Sequence, residues 1–306
     1  REIPQSVSVL GGFASAVALV VVMWLVAALS LLVSGLVATT RADLRGTQVL
    51  KQFAVHAALG DGAIRLAASQ LKVMPLVDRS PAVRLSLDDY ELVVEVLPAS
   101  AFVNLNSASI ELLRDTLQFG ADLPEAQAQM LAERIADWRD LDEDPLPGGA
   151  ERLAYEAAGS RFRPRNGPFE SVDDLIQVLG VNLEVHDKLR GLFTTHGVTP
   201  GVDPRFAPPA VLRVVAAGNA GVVERMLSAR RAQDPVFDMT GLTQQHLAQT
   251  SSGPYRILAS HRTERTLLVR ARWIDLSSPR PDLPWTELSA EPVESFETDT
   301  EVERGL

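Results

Sequence analysis

Residues 13–37 read FASAVALVVVMWLVAALSLLVSGLV, and no charged side chain occurs from Ile3 to Thr40. A helix needs about 20 apolar residues to cross the hydrocarbon core of a membrane, so this run is long enough to span one. A cleaved secretory signal, the alternative, has an apolar region of only about 7–15 residues. Length therefore favours a span. Charge does not orient it. Arg41, Arg45 and Lys51 follow the run and only Arg1 precedes it, which alone would hold the C-terminal side inside; basic residues ahead of Arg1 would reverse that balance.

Beyond the span, Arg41 to Val73 continues as helix, with Leu50, Phe53, Ala57, Ile64, Ala68 and Leu71 at helical spacing. Gly60 and Gly62 weaken its middle and Pro75 ends it. Val83 to Leu87 alternates apolar and polar residues, Asp88-Asp89 turns the chain, and Glu91 to Leu97 forms the return strand of an antiparallel hairpin. From Phe102 to about Ser251 the pattern is helical, broken by Gly- and Pro-containing loops. Strand character returns at Tyr255–His261 and Thr266–Ile274. A lone hairpin is marginal in water, so these late strands are expected to join the early ones in one sheet. The helical region echoes itself in sequence: Val103-Asn104-Leu105-Asn106-Ser107-Ala108 corresponds to Val202-Asp203-Pro204-Arg205-Phe206-Ala207. The expected fold is α+β: a long N-terminal helix packed on a small antiparallel sheet, with a large all-helical insertion of two related subdomains. After Ser277, prolines and repeated Glu and Asp read as a disordered or loosely attached tail.

Composition narrows the function. The chain has 306 residues, 39 acidic against 29 basic side chains and a formal charge of −10. A phosphate-tracking surface needs clustered Lys and Arg, so nucleic acid is not an expected partner. Without cysteine, disulfides and thiolate metal sites are excluded. His56, His186, His196, His246 and His261 show no metal-ligand spacing, and no nucleophile or phosphate-loop motif occurs, so an enzyme is not expected. Asp140, Asp142, Asp144 and Glu151 stand at positions 1, 3, 5 and 12 of a twelve-residue loop, the oxygen-ligand spacing of a calcium loop. Position 6 is Pro145 rather than Gly, so this is that spacing in another fold. On spacing alone, a solvated acidic loop after a helix explains the residues equally well. Asp137 and Glu156 are weaker candidates.

An ordered series of motifs resembles the K-type minor pseudopilins of type II secretion systems. Gly11-Gly12-Phe13 before the apolar helix is similar to a prepilin peptidase site. Asn104-Leu105-Asn106-Ser107-Ala108, Asp137-Trp138-Arg139-Asp140-Leu141-Asp142, Gly149-Ala150-Glu151 with Tyr155, and Arg163 to Phe169 follow in the family's order. Arg152 departs from it, standing where the family often has Asp, as do Asp203 and Arg205, in place of two asparagines in the second half. The resemblance implies a pilin-like fold and cleavage between Gly12 and Phe13. Residues 1–12 would be a leader and 13–40 the transmembrane part; 41–100 and 253–276 would form the periplasmic pilin-like domain, 101–252 the insertion and 277–306 the acidic tail. It implies structural calcium on Asp140, Asp142, Asp144 and Glu151, a place in the bacterial inner membrane with the bulk in the periplasm, and no catalysis. Implied partners are the I- and J-type minor pseudopilins, other pseudopilins, the inner-membrane secretion platform and prepilin peptidase. The implied role is starting the fibre from its tip. Val17, the fifth residue after the cut, suits a tip: pilin-like subunits usually carry Glu there to pair with a neighbour's terminal ammonium, and a subunit with no neighbour ahead would leave that charge uncompensated in lipid. The alternative is a membrane-anchored helix-hairpin-helix DNA receptor of competence type, built on the helices around Leu112 and Phe169–Leu192. Gly180-Val181-Asn182 lacks the second glycine of such a turn, and Glu184 and Asp187 would repel a phosphate.

Overall fold

The computed structural model describes residues 8–73, 82–87, 90–232, 237–248, 253–263, 266–277 and 284–297. It divides into two units, residues 1–55 and 56–306. Helix α1 runs Ser8–Val73. In the first unit, Ala18–Gly35 is long and apolar enough to cross a membrane, and none of it is buried within the protein. Exposed Leu, Val and Trp24 side chains around the whole helix suit lipid as the surrounding medium. Gly12, Phe13 and Val17 lie within α1, but their side chains, and all of residues 1–7, lie outside the described ones.

In the second unit, α1 from His56 onward lies on a sheet. Strands β1 (Ala82–Leu87) and β2 (Tyr90–Pro98) form the first hairpin, and β5 (Tyr255–Arg262) and β6 (Thr266–Asp275) the second. All neighbours in the order β1-β2-β5-β6 are antiparallel, and β5 pairs directly with β2. Strand alternation decides the buried face. Leu92, Val94 and Val96 of β2 point inward with Ile257, Ala259 and Ile274, against Ala63, Ile64, Ala68 and Leu71 of α1. Each fully buried large side chain here contributes about 1.5–3 kcal/mol. Gly60, unfavourable for helix propensity, has a use in the packing of α1. A Cβ there would meet the Cβ of Arg270 at 2.8 Å, so glycine lets α1 approach β6 closely.

Three features correct the expected picture. The first is that the insertion is not purely helical. β3 (Val103–Asn104) pairs in parallel with β4 (Phe193–Thr194), two residues each, too short to leave an alternating pattern. The second is that its two halves share one core. Leu112, Leu117, Leu131, Ile135 and Tyr155 of the first half are in one cluster with Val211, Leu212, Val215, Val222 and Met226 of the second, and the helix Pro209–Val215 meets the π-helical turn Thr116–Gly120. The third concerns the tail, read as disordered or loosely attached. β7 (Thr286–Ala290) and β8 (Glu294–Glu297) both pair with β6. β6 would otherwise be an edge with open backbone donors and acceptors, and pairing satisfies them.

The Asn-x-Asn motif has a clear purpose. The Asn104 side chain accepts from the amides of Asn106 (2.8 Å) and Ser107 (3.1 Å) and donates to the carbonyls of His196 and Gly197. Asn106 exchanges two hydrogen bonds with the backbone of Phe169. In the second half Asp203 keeps only the local part, accepting from the Arg205 amide at 3.0 Å, and pairs its carboxylate with the Arg205 guanidinium.

Candidate metal centre

After α2 (Ile110–Asp115), helix α3 (Glu125–Arg139) ends at Asp140, and α4 (Arg152–Ala157) begins after Glu151. The loop between them turns back on α3. Asp137 is fully buried and accepts from the amides of Ala150 (2.8 Å) and Leu146 (3.3 Å). Gly149 is required for this approach, because a Cβ there would overlap the Asp137 carboxylate. Trp138 stacks on Phe169 with ring centroids 5.9 Å apart and packs at 6.3 Å on Tyr155, which fastens the end of α3 to the core. Asn166 closes the other side, donating to the Asp142 carbonyl at 2.9 Å.

Charge is the unresolved element of this arrangement. Glu151 is only 4% exposed, and neither of its carboxylate oxygens has a hydrogen-bond partner; nor does Oδ1 of Asp140. Burial, then Asp137, Asp140, Glu143 and Asp142, push the Glu151 carboxyl up to about 7. Burial also raises the Asp137 carboxyl, with two backbone amides working against it, and burial with Asp137 and Asp142 raises that of Asp140. The nearby arginines do not neutralise this cluster. Arg139 donates to the carbonyls of Leu105 and Ala108. Arg152 faces outward, half exposed, toward Glu143 at 3.8 Å and Glu156 at 3.3 Å.

Among the described residues, no three His, Asp or Glu side chains already converge on a ready metal cage. The chemistry nevertheless fits a hard divalent cation. Orphaned, buried carboxylate oxygens repel one another unless a cation stands among them, and calcium takes such oxygens. Of the residues that the spacing picked out, Asp140, Asp142 and Glu151 share this field. Asp144 stands at its rim, exposed, with its amide donating to Asp142 at 3.0 Å. Asp137, ranked lower by loop position, is central. It lies three residues before Asp140, so it shares a helix face with it, a signal that counting along the loop misses. Glu156 is engaged with Arg152.

At the hairpin-helix turn two backbone amides are already engaged. Leu179 donates its amide to the Tyr155 hydroxyl at 2.9 Å and accepts from Arg134 at 2.8 Å, while the Val181 amide bonds the Val178 carbonyl.

Comparison with known proteins turns on the same segment. Residues 104–196 match the family model of type II secretion system (T2SS) protein K. No curated protein matches. A chain of the crystal structure of the GspK–GspI–GspJ complex from the enterotoxigenic Escherichia coli type 2 secretion system aligns with a TM-score of 0.54. The two are 18% identical, and the alignment covers 83% of this chain and 99% of that one. The segment that builds the acidic cluster is thus the part of the chain that is similar to protein K of type II secretion systems, and the wider architecture shares the fold of that solved chain.

Proposed function

We propose that the chain caps the tip of a type II secretion pseudopilus and helps to start fibre assembly together with I- and J-type minor pseudopilins. The observation that carries this reading is the protein K match over residues 104–196 within a fold shared with a GspK–GspI–GspJ complex. The apolar helix Ala18–Gly35 anchors the chain in the inner membrane, with residues 56–306 in the periplasm. Prepilin peptidase cuts between Gly12 and Phe13, because glycine admits the backbone without a side chain in the way. The absence of Glu at position 17 suits a subunit with no neighbour ahead of it. Calcium joins the end of α3 to the start of α4 through Asp140, Asp142 and Glu151, with Asp137 behind them and Asp144 at the rim. The ion supplies charge compensation, and the residues supply the oxygens.

The deciding experiment is co-expression of the full chain with the I- and J-type minor pseudopilins of the same secretion system, followed by purification through a tag on this chain. The expected result is one complex containing all three proteins. Recovery of this chain alone, still folded, would overturn the tip reading. Processing is tested separately by the mass of the membrane-extracted protein in cells that contain the peptidase. A mature N-terminus at Phe13 is expected, and a chain that keeps Arg1 to Gly12 would contradict it.

A further inference from the structure

The segment that covers the edge of β6 is held in an unusual way. All five residues of β7 and three of the four of β8 are exposed, so apolar burial does little to fix either strand. Leu288 and Phe296 remain 40% and 38% exposed. Ahead of β7, Trp285 packs against the sheet core and Lys72 donates to the Pro284 carbonyl at 3.1 Å, and within β7 the Ser289 hydroxyl lies 3.1 Å from the His196 ring. Two further kinds of interaction run along the strands. One is the backbone ladder, from Arg272↔Ala290 to Asp275↔Thr286 and from Thr266↔Glu297 to Val269↔Glu294, with the Glu291 amide bonded to the Ala271 carbonyl at 3.0 Å. The other is charge. Arg272 pairs with Glu287. Arg256 grips Glu291 through two hydrogen bonds of 2.7 and 2.5 Å, and Arg270 donates to the Glu291 carbonyl. Arg190, from the helical insertion, reaches Glu294 at 3.4 Å.

The arginines are also organised independently of the tail. Asp61 of α1 accepts from Arg270 and Arg272, which keeps both guanidinium groups in position when the tail leaves. β6 itself is anchored by Leu267, Val269, Ala271 and Trp273, all buried. A sheet edge that offers backbone pairing, flanked by fixed arginines, has the elements of β-strand addition: the backbone supplies affinity and the side groups select the sequence.

We infer that the edge of β6 is a docking site for an acidic extended peptide, and that residues 284–297 are its resident, displaceable occupant. The partner it fits is a strand carrying carboxylates at the spacing of Glu287, Glu291 and Glu294. While the chain's own tail is seated, the edge is protected from indiscriminate pairing. When a partner strand outcompetes it, the arginines exchange one set of carboxylates for another.

The test is hydrogen exchange on the full chain in detergent, paired with peptide binding. Amides of β7 and β8 are expected to exchange at least about tenfold faster than those of β5 and β6, as a locally opening segment does. They should exchange faster still when NaCl rises from about 0.05 M to about 0.5 M, because exposed ion pairs are screened. A chain ending at Ser277 should bind a labelled peptide of residues 284–297, and the full chain should bind it at least about tenfold more weakly, because its own tail competes. The peptide carrying Glu287→Gln, Glu291→Gln and Glu294→Gln should lose binding to the shortened chain. Tail amides as protected as those of β6 would overturn the proposal. So would a shortened chain that keeps native exchange in β1 to β6 and does not bind the peptide. Should the shortened chain fail to fold, the same three substitutions in the full chain decide: tail exchange unchanged from wild type overturns it.

Discussion

Removing Ca²⁺ with a chelator at about pH 8 is expected to lower the melting temperature of the wild-type chain by about 5–10 °C, and Asp140→Ala with Asp142→Ala is expected to abolish that difference. The size follows from mass action. A ligand that binds only the folded state stabilises it by about 2.7 kcal/mol at a hundredfold excess over its dissociation constant. In a folded unit of about 250 residues each kcal/mol moves the melting temperature by about 2–4 °C. The direction follows from the cluster. Holding the Glu151 carboxyl at about 7, against an ordinary value near 4.5, makes its ionised form costly by on the order of 3 kcal/mol, and a cation among the carboxylates offsets that cost. Glu151→Gln separates charge from shape: without calcium it should melt above wild type, because a neutral amide fills the same space without repulsion, and calcium should no longer raise it. A wild-type melting temperature that ignores the chelator would rule out the ion. A full calcium response in the Asp140→Ala, Asp142→Ala chain would move the ion out of this loop.

The sequence carried the parts of this molecule that obey a local period. The apolar run and the 3.6-residue spacing of Ile64, Ala68 and Leu71 give α1, and the alternation of Leu92, Val94 and Val96 gives β2 and its buried face. The strands read at Tyr255–His261 and Thr266–Ile274 match β5 and β6 to within a residue. Features set by distant contacts were hidden. β7 and β8 are acidic, proline-flanked segments whose order comes from Arg256, Arg270, Arg272 and the edge of β6, and none of these is visible in the composition of residues 277–306. The candidate metal centre shows the same division. Loop spacing singles out Asp140, Asp142, Asp144 and Glu151 as candidates, but the place of Asp137 depends on which face of α3 meets the returning loop at Gly149. A pattern read along the chain cannot supply that. The shared core of the two helical halves is a further case, since each half has its own helices and turns, and only packing reveals that Leu117 and Val215 belong to one cluster.

Asp61→Ala is expected to destabilise residues 56–306 by about 3 kcal/mol, the low end of what breaking a buried charged network costs, and to lower the melting temperature by about 6–12 °C. Asp61 sits where α1 comes closest to β6, next to Gly60, and accepts from Arg270 at 2.9 Å and from Arg272 at 2.7 and 2.6 Å. All three side chains are less than a fifth exposed, so removing the carboxylate leaves two guanidinium groups competing for what remains of Glu287 and the tail carbonyl. Acid separates this pairing from simple packing. Burial alone would raise the Asp61 carboxyl, but hydrogen bonds from Arg272 and Arg270 outweigh it and hold it at about 2. The folded value lies below the ordinary 3.8, so the contribution is fully present above pH 3.8 and is lost as pH falls through about 2; it amounts to about 2 kcal/mol. The melting temperatures of wild type and Asp61→Asn should therefore differ by a constant amount from about pH 5 to pH 8 and converge as pH falls from about 4 toward 2. A gap that persists unchanged at about pH 2 would mean that Asp61 acts through shape. A drop below about 2 °C at neutral pH would reduce the network to an ordinary surface pair, worth about 0–1 kcal/mol, and leave the docking of α1 to the apolar contacts of Ile64, Ala68 and Leu71.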